Sequence, residues 1–341
     1  MMRENTKSIK VSPIAQWFIF SIGTIKKRYR KGPPVNNFLA NTMNNFFHRY
    51  QAILQMLGGA FMISFSAIFV KFADVAPTCS AFYRVLFGFF FLLALAVLKK
   101  DLAKPPPPQL FLITFCGLAF ALDLFFWHES IMYIGPGLAT LLGNLQVFLL
   151  AATAIVFYGE KARPRFLVSL PMAIFGLFLI VGLDWHQFSS DYKLGVYFGL
   201  LTAVCYTVYL LGLKKVQVAE KRSPVFALML VCFCSALFLG LKMWQSGDSF
   251  YIPNLKSLLA LISLGLFCQT IGWMLIAGSL AKIQTSRTGL ILLLQPSLSF
   301  IWDVLFFSRP TSLLNWTGVF FTLTAIYMGL TGKTPRTSSS S

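Results

Sequence analysis

Residues 135–182 read GPGLATLLGNLQVFLLAATAIVFYGEKARPRFLVSLPMAIFGLFLIVG, and they decide the fold because a related stretch occurs again later in the chain. Residues 286–332 read SRTGLILLLQPSLSFIWDVLFFSRPTSLLNWTGVFFTLTAIYMGLTG. Each stretch contains an apolar span, a short polar turn and a second apolar span. Their superposition places Gln146 on Gln295. Because internal repeats determine the architecture of a chain, we interpret the protein as a duplication.

The composition indicates a membrane protein. Of the 341 residues, 57% are hydrophobic and 12% are charged, and the mean hydropathy is +0.71. In soluble domains about a quarter of the residues are charged. The net charge of +18 comes mainly from the first 50 residues and from short loops, which suits anionic lipid headgroups and argues against a nucleic-acid partner. The cysteines show neither disulfide nor zinc spacing, so we expect no metal and no cofactor.

The apolar segments predict ten transmembrane helices, because each can cross a hydrocarbon core of ~30 Å. Prolines such as Pro77, Pro164 and Pro253 separate them. Five spans per half is an odd number, so the second half must enter the membrane in the opposite sense. We therefore predict an all-α integral membrane protein with ten transmembrane helices in two inverted five-helix repeats. The predicted spans are approximately 52–72, 79–98, 109–129, 132–157, 165–183, 194–213, 225–243, 256–278, 283–307 and 313–331.

The loop cations predict the orientation of the chain. One side carries most of them, in groups such as Lys99-Lys100 and Lys214-Lys215, and the positive-inside rule makes that side cytoplasmic. Both termini are then cytoplasmic, in a multi-pass protein of the cell (inner) membrane. The loop cations predicted on the opposite side are Lys71, Lys193, Lys242, Lys256 and Arg309.

Four segments are predicted along the chain. Residues 1–51 are basic and are expected to be disordered or interfacial, because their apolar stretch 14–25 is shorter than the ~20 residues needed to span. Residues 52–183 and 194–331 are the two five-helix repeats, and residues 332–341 are a cytoplasmic tail. Met43 stands just before the first span, which leaves open whether residues 1–42 belong to the native protein.

Residues 52–331 resemble the drug/metabolite transporter superfamily, specifically proteins with two EamA domains. The segments that carry the resemblance are Pro77 with Ala81-Phe82-Tyr83-Arg84, Leu145-Gln146-Val147, Gly159-Glu160-Lys161 and Leu294-Gln295-Pro296. The resemblance implies a ten-helix secondary transporter of small metabolites, with a central cavity between the halves. Val147 replaces the family's proline in the fourth span, and Arg309 replaces its acidic residue in the second copy of the turn. The halves have therefore diverged.

Ionisable side chains inside the spans mark candidate sites, because each costs about 2.5–3.5 kcal/mol to insert. Arg84, Asp123 and Asp303 are the deep ones. Asp123 and Trp127 share a helix face, so they can bind a cationic or amphipathic group. Asp123 and Asp303 are the candidates for proton coupling. The alternative for Asp123 is a structural ion pair, for instance with Arg84.

Polar residues on the ninth span form a stripe at helical spacing, made of Thr288, Gln295, Ser299 and Asp303. Pro296 frees a backbone carbonyl beside it, so we interpret the stripe as part of a substrate pathway. A seam of interhelical hydrogen bonds is the alternative.

Two further pairs complete the predicted substrate-binding residues. Asn144 and Gln146 on the fourth span point in nearly opposite directions, so they cannot both face one cavity. Gln269 and Trp273 lie one turn apart on the eighth span. We read the turn around Glu160 as a topological element.

The sequence predicts a secondary transporter of a small organic metabolite, such as an amino acid or a nucleoside-like compound, coupled to protons or to exchange. No Walker A pattern is present, which argues against ATP hydrolysis. An alternative substrate is S-adenosylmethionine or a similar metabolite, by uptake or antiport. The other classes are a membrane-embedded enzyme and a non-transporting scaffold. We expect a small-molecule substrate and the lipid bilayer as partners, no nucleic acid, and leave a homodimer open.

Overall fold

The computed structural model describes residues 35–102, 105–161, 163–181, 190–219, 223–308 and 310–331. Two units are distinguished, residues 1–51 and residues 52–341. In the first unit, residues 35–51 are helical. The apolar stretch 14–25 and the tail 332–341 lie outside the described residues, so the predictions for them stay predictions.

The predicted all-helical membrane architecture is confirmed. Within the described ranges, nine helices are long and apolar enough to cross a membrane, and Pro164–Ile180 is a shorter apolar helix at the lower limit of ~17 residues. Numbered first to tenth in chain order, the spans are Tyr50–Ala73, Pro77–Leu98, Pro107–Ile134, Ala139–Val156, Pro164–Ile180, Asp191–Ala219, Val225–Ser246, Leu255–Leu280, Thr285–Phe307 and Leu313–Thr331.

The third and fourth spans form a hairpin, although the backbone from Pro107 to Gly143 is helical throughout. In a straight helix Trp127 and Thr140 would be separated by ~20 Å along the axis. Instead the indole Nε1 of Trp127 donates a hydrogen bond to Thr140 Oγ1 at 3.3 Å. The chain therefore reverses between these two residues, in the interval that contains Gly135-Pro136.

Equivalent spans of the two halves pack against each other in pairs, and each pair is antiparallel. In the fifth and tenth spans, Ser169 lies beside Gly329 and Gly176 beside Gly318. The second and seventh spans pack in the same antiparallel sense, and so do the fourth and ninth. The third span packs on the sixth and the first on the eighth, as a two-fold exchange of halves requires. This arrangement is the predicted inverted repeat.

Glycines permit the closest of these contacts. A Cβ built on Gly176 would lie 2.4 Å from Thr322 Oγ1 and 2.7 Å from the Gly318 carbonyl oxygen. Small residues let two helix backbones approach closely. Such close packing stabilises helix association in a bilayer, because lipid tails are as apolar as the side chains and the hydrophobic effect gives no driving force there.

The turns that follow the fourth and ninth spans share an unusual backbone conformation. Gly159 has a φ of +60°, and Ser308, its equivalent in the repeat, has a φ of +49°. Glycine adopts this left-handed region freely, whereas serine does so at a cost of roughly 1–2 kcal/mol. Both copies of the repeat thus have the same turn geometry, although serine replaces glycine in the second copy.

Four spans contain irregular backbone near their middle. The first is interrupted at Phe65, between the helices Val35–Ser64 and Ser66–Ala73. The fourth breaks at Asn144-Leu145 and the ninth at Leu293, which are equivalent positions of the repeat. The fourth breaks without the proline that Pro296 supplies to the ninth. The eighth contains a π-helical segment, Leu264–Gly272, a feature found often at functional sites.

Candidate functional site

Five polar side chains from five spans converge between the two halves. They are referred to below as the central polar cluster, and they stand on the second, third, sixth, eighth and ninth spans. Four of them are among the predicted site residues, and Tyr206 is new. The members are Arg84, Asp123, Tyr206, Gln269 and Gln295.

Gln269 fixes the position of Arg84. The Nε of Arg84 donates a hydrogen bond to Gln269 Oε1 at 2.9 Å, and Gln269 Nε2 donates to Cys232 Sγ at 3.3 Å. Gln269 is fully buried and stands in the π-helical segment Leu264–Gly272. Its pairing with Arg84 differs from the predicted pairing with Trp273. Gln269 is thus a positioning residue that holds a guanidinium between the halves.

Asp123 lies opposite this guanidinium without closing an ion pair. The side chain is 8% exposed, and Arg84 is the charged group that acts on it electrostatically. Among the described residues, no donor forms a hydrogen bond with the Asp123 carboxylate. A buried charge normally has a hydrogen-bonded partner, so the Asp123 carboxylate has acceptor capacity that the described residues leave unused.

Tyr206 of the sixth span connects Asp123 to the ninth span. Its phenol lies next to the Gln295 amide and within electrostatic range of both Asp123 and Arg84. The sequence analysis did not single out Tyr206. The available signal was a pair of tyrosines, Tyr206 and Tyr209, one turn apart inside an apolar span.

A packed aromatic group lies beside the cluster. Trp273 contacts Phe120, Tyr206 and Tyr209, with ring centroids 5.5, 6.2 and 4.9 Å away. Trp273 is 2% exposed and Tyr209 is fully buried. Trp273 therefore packs against Tyr206, and its predicted contact with a substrate stays a prediction.

The remaining predicted residues of the third and fourth spans lie apart from the cluster's contacts. Trp127 binds Thr140, as described above, and Asn144 Nδ2 donates to the Thr140 carbonyl of its own helix at 2.8 Å. Gln146 is fully buried, and within the described part of the chain its amide atoms have no hydrogen-bond partner.

The predicted stripe on the ninth span is divided among several partners. Thr288 is buried and bonds the Gln284 carbonyl of its own helix. Gln295 belongs to the central polar cluster. Ser299 Oγ donates to the Ser64 carbonyl oxygen at 2.8 Å, where the first span is interrupted. Asp303 forms an ion pair with Lys71.

A second set of contacts joins the halves at the opposite end of the bundle from Lys71. The Glu160 carboxylate accepts hydrogen bonds from Thr285 N at 2.8 Å, Ser286 N at 3.3 Å and Ser286 Oγ at 2.6 Å. These amides begin the helix Thr285–Leu292 and have no partner within it. Lys214 Nζ donates to the Ile283 carbonyl oxygen and to Thr285 Oγ1, at 2.6 and 2.8 Å.

These contacts are called the Glu160 latch. Glu160 belongs to the first half. Lys214 and the helix Thr285–Leu292, whose N-terminus Glu160 caps, belong to the second half. The carboxylate is stabilised there by the positive end of the helix dipole and by the lysine. The sequence analysis read Glu160 as a topological turn and missed this role, because the helix it caps lies more than a hundred residues further along the chain.

Inverted five-helix repeats with a buried polar cluster between them define a helical membrane protein of transporter architecture. Comparison with family models agrees, since residues 51–182 and 193–331 each match the EamA-like transporter family. The chain belongs to this family.

Solved structures resemble the fold as well. One, titled "Crystal structure of protein", is 17% identical and superimposes with a TM-score of 0.72, covering 82% of this chain and 98% of that one. At this identity the likeness concerns the fold alone. A search among curated proteins gave no match.

Proposed function

We propose that this protein is a secondary transporter that moves a small organic metabolite, such as an amino acid or a nucleoside-like compound, through the central polar cluster. The observation that carries the proposal is the placement of Arg84, Asp123 and Tyr206 on spans of both halves. Charged groups inside a membrane protein are costly and mark substrate or ion pathways. A ligand held there touches both halves and is exposed to either side as they move.

Alternating access would use contacts at the two ends of the bundle in turn. The Glu160 latch closes one end between the fourth and ninth spans. At the other end, Lys71 pairs with Asp303, and Lys242 Nζ lies 3.7 Å from Glu129 Oε1. Each of these pairs joins the two halves. Opening one end requires that its polar contacts break, so the two sets form the gates of a rocking mechanism.

Coupling would be to protons or to a counter-substrate. Of the two candidate carboxylates, Asp123 is the better one, because Asp303 already pairs with Lys71. A proton on Asp123 would compete with a cationic group of the substrate, which favours antiport. Asp123→Asn should abolish the pH dependence of uptake into proteoliposomes, and Asp303→Asn should preserve it. If both variants leave pH-dependent uptake unchanged, proton coupling through these carboxylates is wrong.

Counterflow tests the proposal as a whole. Purified protein in sealed proteoliposomes, preloaded with unlabelled metabolites, should accumulate an added labelled metabolite and release it chemically unchanged. A membrane-embedded enzyme would instead convert the solute, and a scaffold would give no flux above empty vesicles. Either result would contradict transport. S-adenosylmethionine belongs in the metabolite set because it combines cationic, acidic and aromatic groups.

The orientation and the membrane are part of the proposal. We place the protein in the cytoplasmic membrane with the Glu160 latch facing the cytoplasm, supported by the cations Lys214 and Arg287 close to that end. An impermeant thiol reagent added to intact cells should label a cysteine introduced at Ser312 and leave one introduced at Glu160 unlabelled. Labelling of both positions would contradict the antiparallel halves.

A further inference from the structure

We propose that the central polar cluster binds a zwitterion, with Arg84 holding the substrate's carboxylate and Asp123 its ammonium group. The proposal rests on the proposed transport function and narrows it, since a nucleoside carries neither charge. It follows from two opposite charges that stand near each other inside the bundle and are kept apart.

Arg84 keeps donors that no other described residue uses. Its Nε is occupied by Gln269, whereas in the described structure neither Nη has a hydrogen-bond partner. A guanidinium whose remaining edge is open can receive a carboxylate through two parallel hydrogen bonds. The hydrogen bond to Gln269 holds the guanidinium, so its orientation is fixed before a ligand arrives.

Asp123 supplies the opposite charge at a distance. It is nearly fully buried and lies within the electrostatic field of Arg84, yet the two do not form a direct ion pair. Two buried opposite charges that remain separated gain little from each other and lose their hydration. A ligand that carries an ammonium and a carboxylate group also holds its two charges apart, so it can bind Asp123 and Arg84 at the same time. A ligand with a single charge leaves one of these two residues without a partner.

Tyr206 and Gln295 complete the polar side of this site. The two side chains are neighbours, and Gln295 Nε2 is a buried donor without a partner in the described residues. Both are half-buried and lie next to the two charged groups. Their neutral groups suit the body of an amino acid with an uncharged side chain.

Binding to the full-length chain in lipid nanodiscs tests the proposal. The probes are the common L-amino acids, S-adenosylmethionine and uridine, followed by the amine and the acid derived from each amino acid that binds. For L-phenylalanine these are 2-phenylethylamine and 3-phenylpropionate. At least one amino acid or S-adenosylmethionine should raise the melting temperature, and titration should show its amine and its acid to bind at least tenfold more weakly.

Variants identify the two charges. Asp123→Asn and Arg84→Gln should each weaken binding of the zwitterion at least tenfold, while Asp123→Asn keeps the affinity for the acid and Arg84→Gln that for the amine. The retained half-ligand shows that each variant is folded. Asp191→Asn, a matched change at an exposed position at the start of the sixth span, should bind the zwitterion normally.

Three results would overturn the zwitterion site: no zwitterion binds, an amine or uridine binds as tightly as the best zwitterion, or both variants keep full affinity. None of these would by itself overturn transport, which fails only if counterflow is absent for every metabolite tested.

Discussion

The Glu160 latch yields the most direct prediction. Glu160→Gln removes the negative charge and one of the two acceptor oxygens that bind Thr285 and Ser286, and it turns an amide NH₂ toward backbone donors. Hydrogen bonds to charged groups contribute about 1.5–3 kcal/mol each. Loss of one such contribution should raise the opening constant of this end by about 10- to 100-fold.

Alkylation of a buried reporter measures this opening. Thr288 is 2% exposed and lies one turn inside the latch, so Thr288→Cys in a variant without the native cysteines reacts only when this end opens. Glu160→Gln should accelerate its alkylation about 10- to 100-fold. Glu129→Gln, which breaks a contact at the opposite end, should not. Equal rates with and without Glu160→Gln would refute the latch as a gate.

Three other substitutions test packing, positioning and an unpaired amide. Gly176→Ala should destabilise the protein by about 1–3 kcal/mol, because the added Cβ meets backbone atoms of the tenth span. The melting temperature in detergent should therefore fall. The control Gly278→Ala should leave it unchanged, because no atom lies within 4 Å of the added Cβ. Gln269→Leu leaves Arg84 Nε unpaired and should lower counterflow at least tenfold without altering insertion, a result that normal flux would contradict. Gln146→Leu removes a buried amide without partners and should leave stability equal or higher by about 1–3 kcal/mol, whereas loss of counterflow would assign Gln146 to the substrate.

Much of the fold could be predicted because a lipid bilayer permits few backbone structures. Apolar length alone located the spans, since every backbone amide in lipid must bond within its own helix. The odd number of spans per repeat then required the inverted halves, which the antiparallel pairing of Gly176 with Gly318 confirms. The break in the fourth span could not be predicted in this way, because Val147 stands where the ninth span has Pro296. The interruption at Asn144-Leu145 depends instead on the packing of neighbouring helices.

The candidate site could be predicted only in part. Arg84, Asp123, Gln269 and Gln295 stood out because polar groups are conspicuous in apolar spans. Their mutual arrangement did not follow, and neither did the hydrogen bond between Gln269 and Arg84. The predicted substrate contact of Gln269 stays a prediction. The predicted role of Asp303 in proton coupling stays untested, and its contact with Lys71 places it with the end contacts instead.

The sequence by itself determined that the protein lies in a lipid bilayer, how many helices cross it and that the two halves run in opposite directions. These properties depend on the lengths and the number of the apolar segments. Only the tertiary structure decided which polar groups meet. Side chains such as Tyr206 and Gln295, or Glu160 and Thr285, are far apart in the chain and are brought together by helix packing, whose register depends on close contacts of small residues. The proposed function depends on those long-range pairings.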